Sequence, residues 1–293
     1  MQAVAAWLVA RPLNAVLALA ATVSLAWLSF LSGVAMVLLV VHKGPQRAAV
    51  DMLLATALLA VVGLLVQAHL AAVVFGALSM WLPALLFGTL LVKTRSLTLM
   101  VQLSVIIVVA GMIGFYLMVP DPVSFWRSVL EKLIEVWREL GLGEQADLLS
   151  QDVDGLAAQM TMVVALALWV VHTTNGILGY LFYKQLPGET VDYGHFRDLN
   201  LGRVIAINMA LASVIAFASD AVWLQNIAFV LFLVFFLQGL AVVHWLHNKG
   251  QLPVFAIIAV YVLMPILNII LLMGLAALGV IDTWFRLRRA KVE

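Results

Sequence analysis

The sequence predicts an all-α fold, a polytopic transmembrane helical bundle of eight to ten membrane helices with one amphipathic helical insert. Three observations carry this expectation. Hydrophobic residues fill 65% of the 293 positions and charged residues only 11%, whereas a soluble domain averages about 25% charged residues. The charged residues cut the chain into apolar pieces near the ~20 residues that cross a bilayer as a helix. The alternating segments of about ten residues that mark a closed β-barrel are absent. A mean hydropathy of +1.12 agrees.

Bulk charge narrows the partners. At a net +1, neither nucleic acid nor an acidic partner is implied. The chain has no cysteine, which excludes disulfides, thiolate metal sites and cysteine nucleophiles. The opening "MQAVAAWLVARPLNAVLALAA" has the look of a signal peptide, one Arg before an apolar run. No convincing cleavage site follows and the apolar character continues, so this stretch is expected to stay as the first helix.

Taken in order, the apolar pieces run 13–42, 47–66, 69–92, 96–118, 157–184, 203–219, 223–247 and 253–281. The first and last are long enough to be one tilted helix or two short ones, with weak points at "SFLSG" (29–33) and Pro265. Three regions follow: N-terminal membrane helices over 1–118, an insert over 119–156, and C-terminal membrane helices with a basic tail over 157–293. The insert holds 8 of the 15 acidic residues against Arg127, Lys132 and Arg138. In it, Asp121 is placed to cap a helix with Pro122 at its first position. Trp126, Val129, Leu130, Leu133, Ile134 and Trp137 then recur on one face, as suits a helix at the membrane interface or a lid packed over the bundle.

Orientation follows from Lys and Arg. Alternation puts Lys43 and Arg47, Lys93 and Arg95, Lys184, Arg197 and Arg203, and Lys249 on one side, expected to be the cytoplasm. The tail "RLRRAK" (286–291) carries four cations and is expected on the same side. That requires 253–281 to break at Pro265 and fold back. The same logic favours two short passes within 13–42.

Polar residues inside apolar pieces are the candidate site. His172, Gly176, Gly179 and Tyr183 fall at i, i+4, i+7 and i+11, with Asn175 beside them, against an opposite face of Val170, Ile177, Leu178 and Leu181. This stripe should face the bundle interior. Polar residues also occur in other spans, among them Gln67, His69, Gln102, Asn208, Gln238 and Asn268, and Asn208 and Asn268 join the stripe as candidates. Two readings stay open. Such residues line a cavity for an uncharged or zwitterionic solute, or they are interhelical glue at about 0.6 kcal/mol each. A small-residue stripe, Ala18, Thr22 and Ala26, makes a close-packing face within the fold or toward another subunit.

No Asp, Glu, Lys or Arg stands near the middle of a span; Asp220 and Asp282 sit at span ends. An ion-coupled pump usually carries an intramembrane acid. No G-x-S-x-G, H-E-x-x-H or P-loop occurs, so no catalytic role and no cofactor is expected. His244 and His247 are read as residues of a helix C-terminus rather than metal ligands.

The end "LGVIDTWFRLRR" (278–289), the turn "VVHKGPQRAAV" (40–50) and "TNGILGYLFYK" (174–184) resemble the YybS-like bacterial membrane proteins, catalogued as domain of unknown function 2232. That family is in turn remotely similar to the substrate-binding S-components of energy-coupling vitamin transporters. The resemblance implies that Ala18, Thr22 and Ala26 pack on a partner membrane subunit and that Lys43, Gly44 and Pro45 close a short second helix. S-components have six spans and lack an acidic insert, so the layout departs from them. The expectation is a multi-pass protein of the cell inner membrane, without enzymatic activity, that carries or binds a small or lipid-like solute. The alternative is a non-catalytic scaffold or homo-oligomeric interaction protein. Its partners are the lipid bilayer and another membrane subunit or a second copy.

Overall fold

The structure, a computed structural model, describes residues 2–25, 28–188 and 191–288, apart from the side chain of Asn268. Among these residues there are helices and no strand. The helices are α1 (Gln2–Ala10), α2 (Pro12–Ser24), α3 (Ser29–Lys43), α4 (Pro45–Leu65), α5 (Leu70–Thr94), α6 (Leu97–Met118), α7 (Pro122–Glu139), α8 (Gly143–Ser150), α9 (Val153–Tyr183), α10 (Gly202–Ser219), α11 (Val222–Leu233), α12 (Phe236–Asn248) and α13 (Val254–Phe285). In α4, α5, α6, α9, α10 and the joined stretch Val222–Asn248, six described helices are long and apolar enough to cross a membrane. The pair α1–α2, bent by 117°, makes a seventh if it is one span, while α3 is apolar but shorter. The all-α polytopic bundle is thus what the chain forms.

Local chemistry sets the breaks. The first apolar piece divides, but earlier than its "SFLSG" stretch: Leu25 is extended and α3 starts at Ser29. Ser29 through Gly33 are inside α3. At the next turn Gly44 adopts φ 85°, in the left-handed region that glycine tolerates, and Pro45 opens α4. Lys43 reaches across this turn to the buried Asp51 at 3.1 Å. Asp121 caps α7 as its position predicted, accepting from the Ser124 N–H at 3.0 Å, with Pro122 first in the helix. On α7 only Leu130 and Ile134 are buried, while Val129 and Leu133 stay exposed. Only part of the apolar face is therefore covered by the protein itself.

At Pro265 the expected break is absent: α13 is helical from Val254 to Phe285 with the proline inside it. Freed backbone groups are costly in hydrocarbon, and a transmembrane helix accommodates proline by local readjustment. Both ends of this stretch nevertheless meet the same residue. The Arg197 guanidinium donates to Asn248 Oδ1 at 2.9 Å, just before α13. The Arg197 carbonyl accepts from Arg288 Nη1 at 2.8 Å, just after it.

The chain divides into two compact units that do not follow chain order. The first joins residues 1–104 to 169–196, and the second joins 105–168 to 197–293. In the first, α2, α3, α4 and α5 pack on one another. In the second, α12 packs along α13, with α10 and α11 beside them.

Candidate functional site

In the first unit the polar stripe of α9 is buried. His172 is 7% exposed and Asn175 0%. Their neighbours come from α3, α5 and α6. A Cβ on Gly33 would run into Asn175 Nδ2 and lie 3.0 Å from Met80 Sδ. One on Gly176 would lie 2.9 Å from Met100 Cε, and one on Gly179 2.6 Å from Val37 Cβ and 2.9 Å from the Val34 carbonyl oxygen. These glycines let α9 close tightly on α3 and α6. Asn175 Nδ2 has Met80 Sδ at 3.4 Å. Among the described residues, His172 Nδ1 and Asn175 Oδ1 are buried without a hydrogen-bond partner.

Other polar groups of this unit are satisfied pairwise. Trp169 Nε1 donates to Ser104 Oγ at 2.8 Å, which in turn donates to the Val101 carbonyl. Trp81 Nε1 donates to Ser32 Oγ at 2.7 Å, and Ser32 donates to the Leu19 carbonyl. Tyr183 is buried and stacks on Tyr180 with ring centroids 6.5 Å apart. The Tyr180 hydroxyl donates to Asp192 Oδ1 at 2.9 Å. Outside the span, the Asp192 carboxylate also accepts from the Gly194 N–H and Lys184. The Gly194 N–H first, then Tyr180 and Lys184, hold its pKa down to about 2.

The remaining sequence candidates are placed elsewhere. Asn208 is exposed on α10 and donates to its own helix at Val204 O, 2.9 Å away. It belongs to the second unit, whereas His172 and Asn175 belong to the first. The side chain of Asn268 and all of Ala26 lie outside the described residues. Thr22 is half-buried and its hydroxyl donates to the Ala18 carbonyl at 2.6 Å. The buried face of α2 runs instead through Ala15, Val16, Leu19 and Ala20.

The second unit holds two features that residue periodicity does not reveal. Gln238, fully buried, accepts from the Leu201 N–H at 2.7 Å and donates to Asp282 Oδ2 at 2.7 Å and Thr283 Oγ1 at 3.0 Å. Asp282, 3% exposed, takes Arg288 on the same oxygen at 2.6 and 3.1 Å. Arg288 spends its other donors on the Arg197 and Leu199 carbonyls. Gly279 and Gly239 let α12 and α13 touch backbone to backbone beside this network.

The other feature is an apolar cleft of about 470 Å³ where α6 ends, α7 begins and α9 and α11 pass. Tyr116, Leu117, Pro122, Ala158, Thr161 and Trp223 are among its walls. Its polar groups are already engaged. Asn226 Nδ2 donates to both the Tyr116 hydroxyl and the Ala158 carbonyl at 2.8 Å. Trp126 Nε1 donates to Thr161 Oγ1 at 2.8 Å.

A family model described as "Predicted membrane protein (DUF2232)" matches residues 13–283 of this chain. The chain belongs to that family. Comparisons with curated proteins and with solved structures returned no match. The match covers the α9 stripe, the apolar cleft and the Gln238 network as far as Thr283, while Arg288 lies beyond it.

Proposed function

We propose that this DUF2232 protein is a non-catalytic binding component of the cell inner membrane for a lipid-like solute, received in the apolar cleft of the second unit. The cleft itself carries the reading. Its volume of about 470 Å³ falls in the range of ligand sites, ~300–1,000 Å³. Because Tyr116, Asn226 and Thr161 are hydrogen-bonded among themselves and their neighbours, an apolar chain entering the cleft strips water from no unpaired polar group. Tyr116 and Trp223 line it and Trp126 bonds to Thr161 of its wall, the aromatic types enriched at membrane–water interfaces. The scaffold reading draws support from the first unit, where the glycine contacts around Asn175 and Gly179 leave a closely packed interior.

A photoreactive fatty acid, added to the purified protein in detergent, tests the proposal. Expected is labelling concentrated on residues 113–123, 157–161 and 222–223, lost in an Ala158→Phe variant that keeps its melting temperature. Diffuse labelling that the filled cleft does not change would favour the scaffold and overturn the proposal.

A further inference from the structure

The second unit carries another cleft, of about 450 Å³, at the start of α10 and the end of α13. Arg203, Arg286, Arg288, Asp198, Asp282 and Trp245 are in its walls. Charge there is unevenly spent. Asp282 and Arg288 neutralise one another at 2.6 Å, deep in the wall. Among the described residues, Arg203 and Arg286 have no carboxylate partner; the Arg203 guanidinium lies over the Trp284 ring, 5.9 Å from its centroid. Both arginines are exposed. Helix α10 opens on this cleft at Gly202 with no acidic residue in its first turn; the Gly202 N–H already donates to Asn200 Oδ1 at 2.8 Å, so the arginines are what the cleft offers an anion. Lys249, 5.7 Å over the Trp245 ring, adds a cation nearby.

We propose that this cleft binds a phosphate group, presented by an anionic phospholipid headgroup or by a free phosphate. The chemistry matches. A guanidinium offers a planar fork of donors that pairs with phosphate oxygens in two-point contacts. Two such forks, in a cleft larger than a lone carboxylate fills, suit a tetrahedral anion with several acceptor oxygens. Basic pockets between membrane helices are the setting in which anionic headgroups are held. The Asp282–Arg288–Gln238 network is the rigid floor: every one of its charged groups is already paired, so it shapes the site without competing for the ligand. This site shares no residue with the apolar cleft, and its test stands apart from that one.

The experiment uses the full chain in phosphatidylcholine nanodiscs with and without phosphatidylglycerol, with inorganic phosphate as the soluble probe. Retained phosphatidylglycerol is counted by native mass spectrometry, and thermal stability is followed against phosphate concentration. The test variants are Arg203→Gln, Arg286→Gln and their double; Arg138→Gln, on α7, is the control. The double variant is expected to bind the anionic probe at least about tenfold more weakly, while the control binds as the parent does and all variants melt normally in phosphatidylcholine. Loss of retained phosphatidylglycerol, with no stabilisation by phosphate, identifies a headgroup site. Stabilisation by phosphate that the double variant loses identifies a free-phosphate site. Equal retention and equal phosphate response in parent and double variant overturn the proposal.

Discussion

Asp282 and Asp147 each pair with an arginine, and the two pairs should differ several-fold in what they contribute. Asp282 is sealed in, with side-chain exposures of 10% for Arg288 and 2% for Asp282. Asp147 and Arg138 meet at 3.0 Å with 70% and 53% of their side chains in solvent. Removing one partner of a buried pair leaves an uncompensated charge and costs about 3–5 kcal/mol, whereas exposed pairs contribute about 1 kcal/mol or less. Asp282→Leu should therefore lower stability in denaturant titration of the detergent-solubilised protein by several times the loss from Asp147→Leu. Similar losses would mean that Arg288 is held by the Arg197 and Leu199 carbonyls alone. On α9 the order is set by space rather than polarity. Asn175 Oδ1 has no partner to lose, so Asn175→Leu should cost about 1 kcal/mol or less. Gly179→Ala forces a methyl to 2.6 Å from Val37 and should cost about 1–3 kcal/mol by overpacking. The same melting series checks both, and a larger loss at Asn175 would show that its polar group matters more than its fit.

Among the elements, α7 shows what an amphipathic pattern can and cannot say. The sequence marks six apolar positions, yet burial selects Leu130 and Ile134, with Trp126 bonded to Thr161 on α9. Leu130→Asp or Ile134→Asp should release α7 and expose 122–150 to protease, while Val129→Asp and Leu133→Asp leave the digestion rate unchanged. Equal protection of all four variants would mean that the packing of α8 on α7 and the exposed ion pair of Arg127 on α7 with Asp154 on α9, rather than the apolar face, hold the insert. Helix positions were legible because charges and turn residues punctuate an apolar chain: the Lys43-Gly44-Pro45 turn and the Asp121 cap are local chemistry. The division between α11 and α12 near Val234 was not legible, because that stretch is uniformly apolar. The α9 stripe could be read from helical spacing. The Gln238–Asp282–Arg288 network could not, since its members lie 44 residues apart at one contact and only the packing of α12 on α13 joins them. Asp282 was visible only as an acid at a span end. The apolar cleft was hidden for the same reason: its walls come from four helices whose neighbours are set by tertiary packing.

At the scale of the whole molecule the open matter is which side of the membrane each segment faces, and the contacts at Arg197 decide the expectation. Helix α9 runs 31 residues from the insert to Tyr183, about 46 Å at ~1.5 Å per residue, enough to cross the ~30 Å hydrocarbon core. The loop that follows it leads to Arg197 and Leu199, whose carbonyls hold the Arg288 guanidinium. Residues 184–196 are too few and too polar to cross again, so the C-terminal end is expected on the side of the membrane where α9 ends. Charge points the same way, since Lys184, Arg197 and Arg203 share the segment between α9 and α10 and Arg286 and Arg288 follow α13, and basic flanks are retained in the cytoplasm. The insert, with 8 acidic residues against three basic ones, carries no such retention signal. Because the chain contains no cysteine, single cysteines at Gln145 and Leu287 give clean reporters. A membrane-impermeant maleimide applied to intact cells should label Gln145→Cys and reach Leu287→Cys only after permeabilisation. Labelling of both positions before permeabilisation, or of neither, would place the insert and the tail on one side and would be incompatible with the Arg288 contacts.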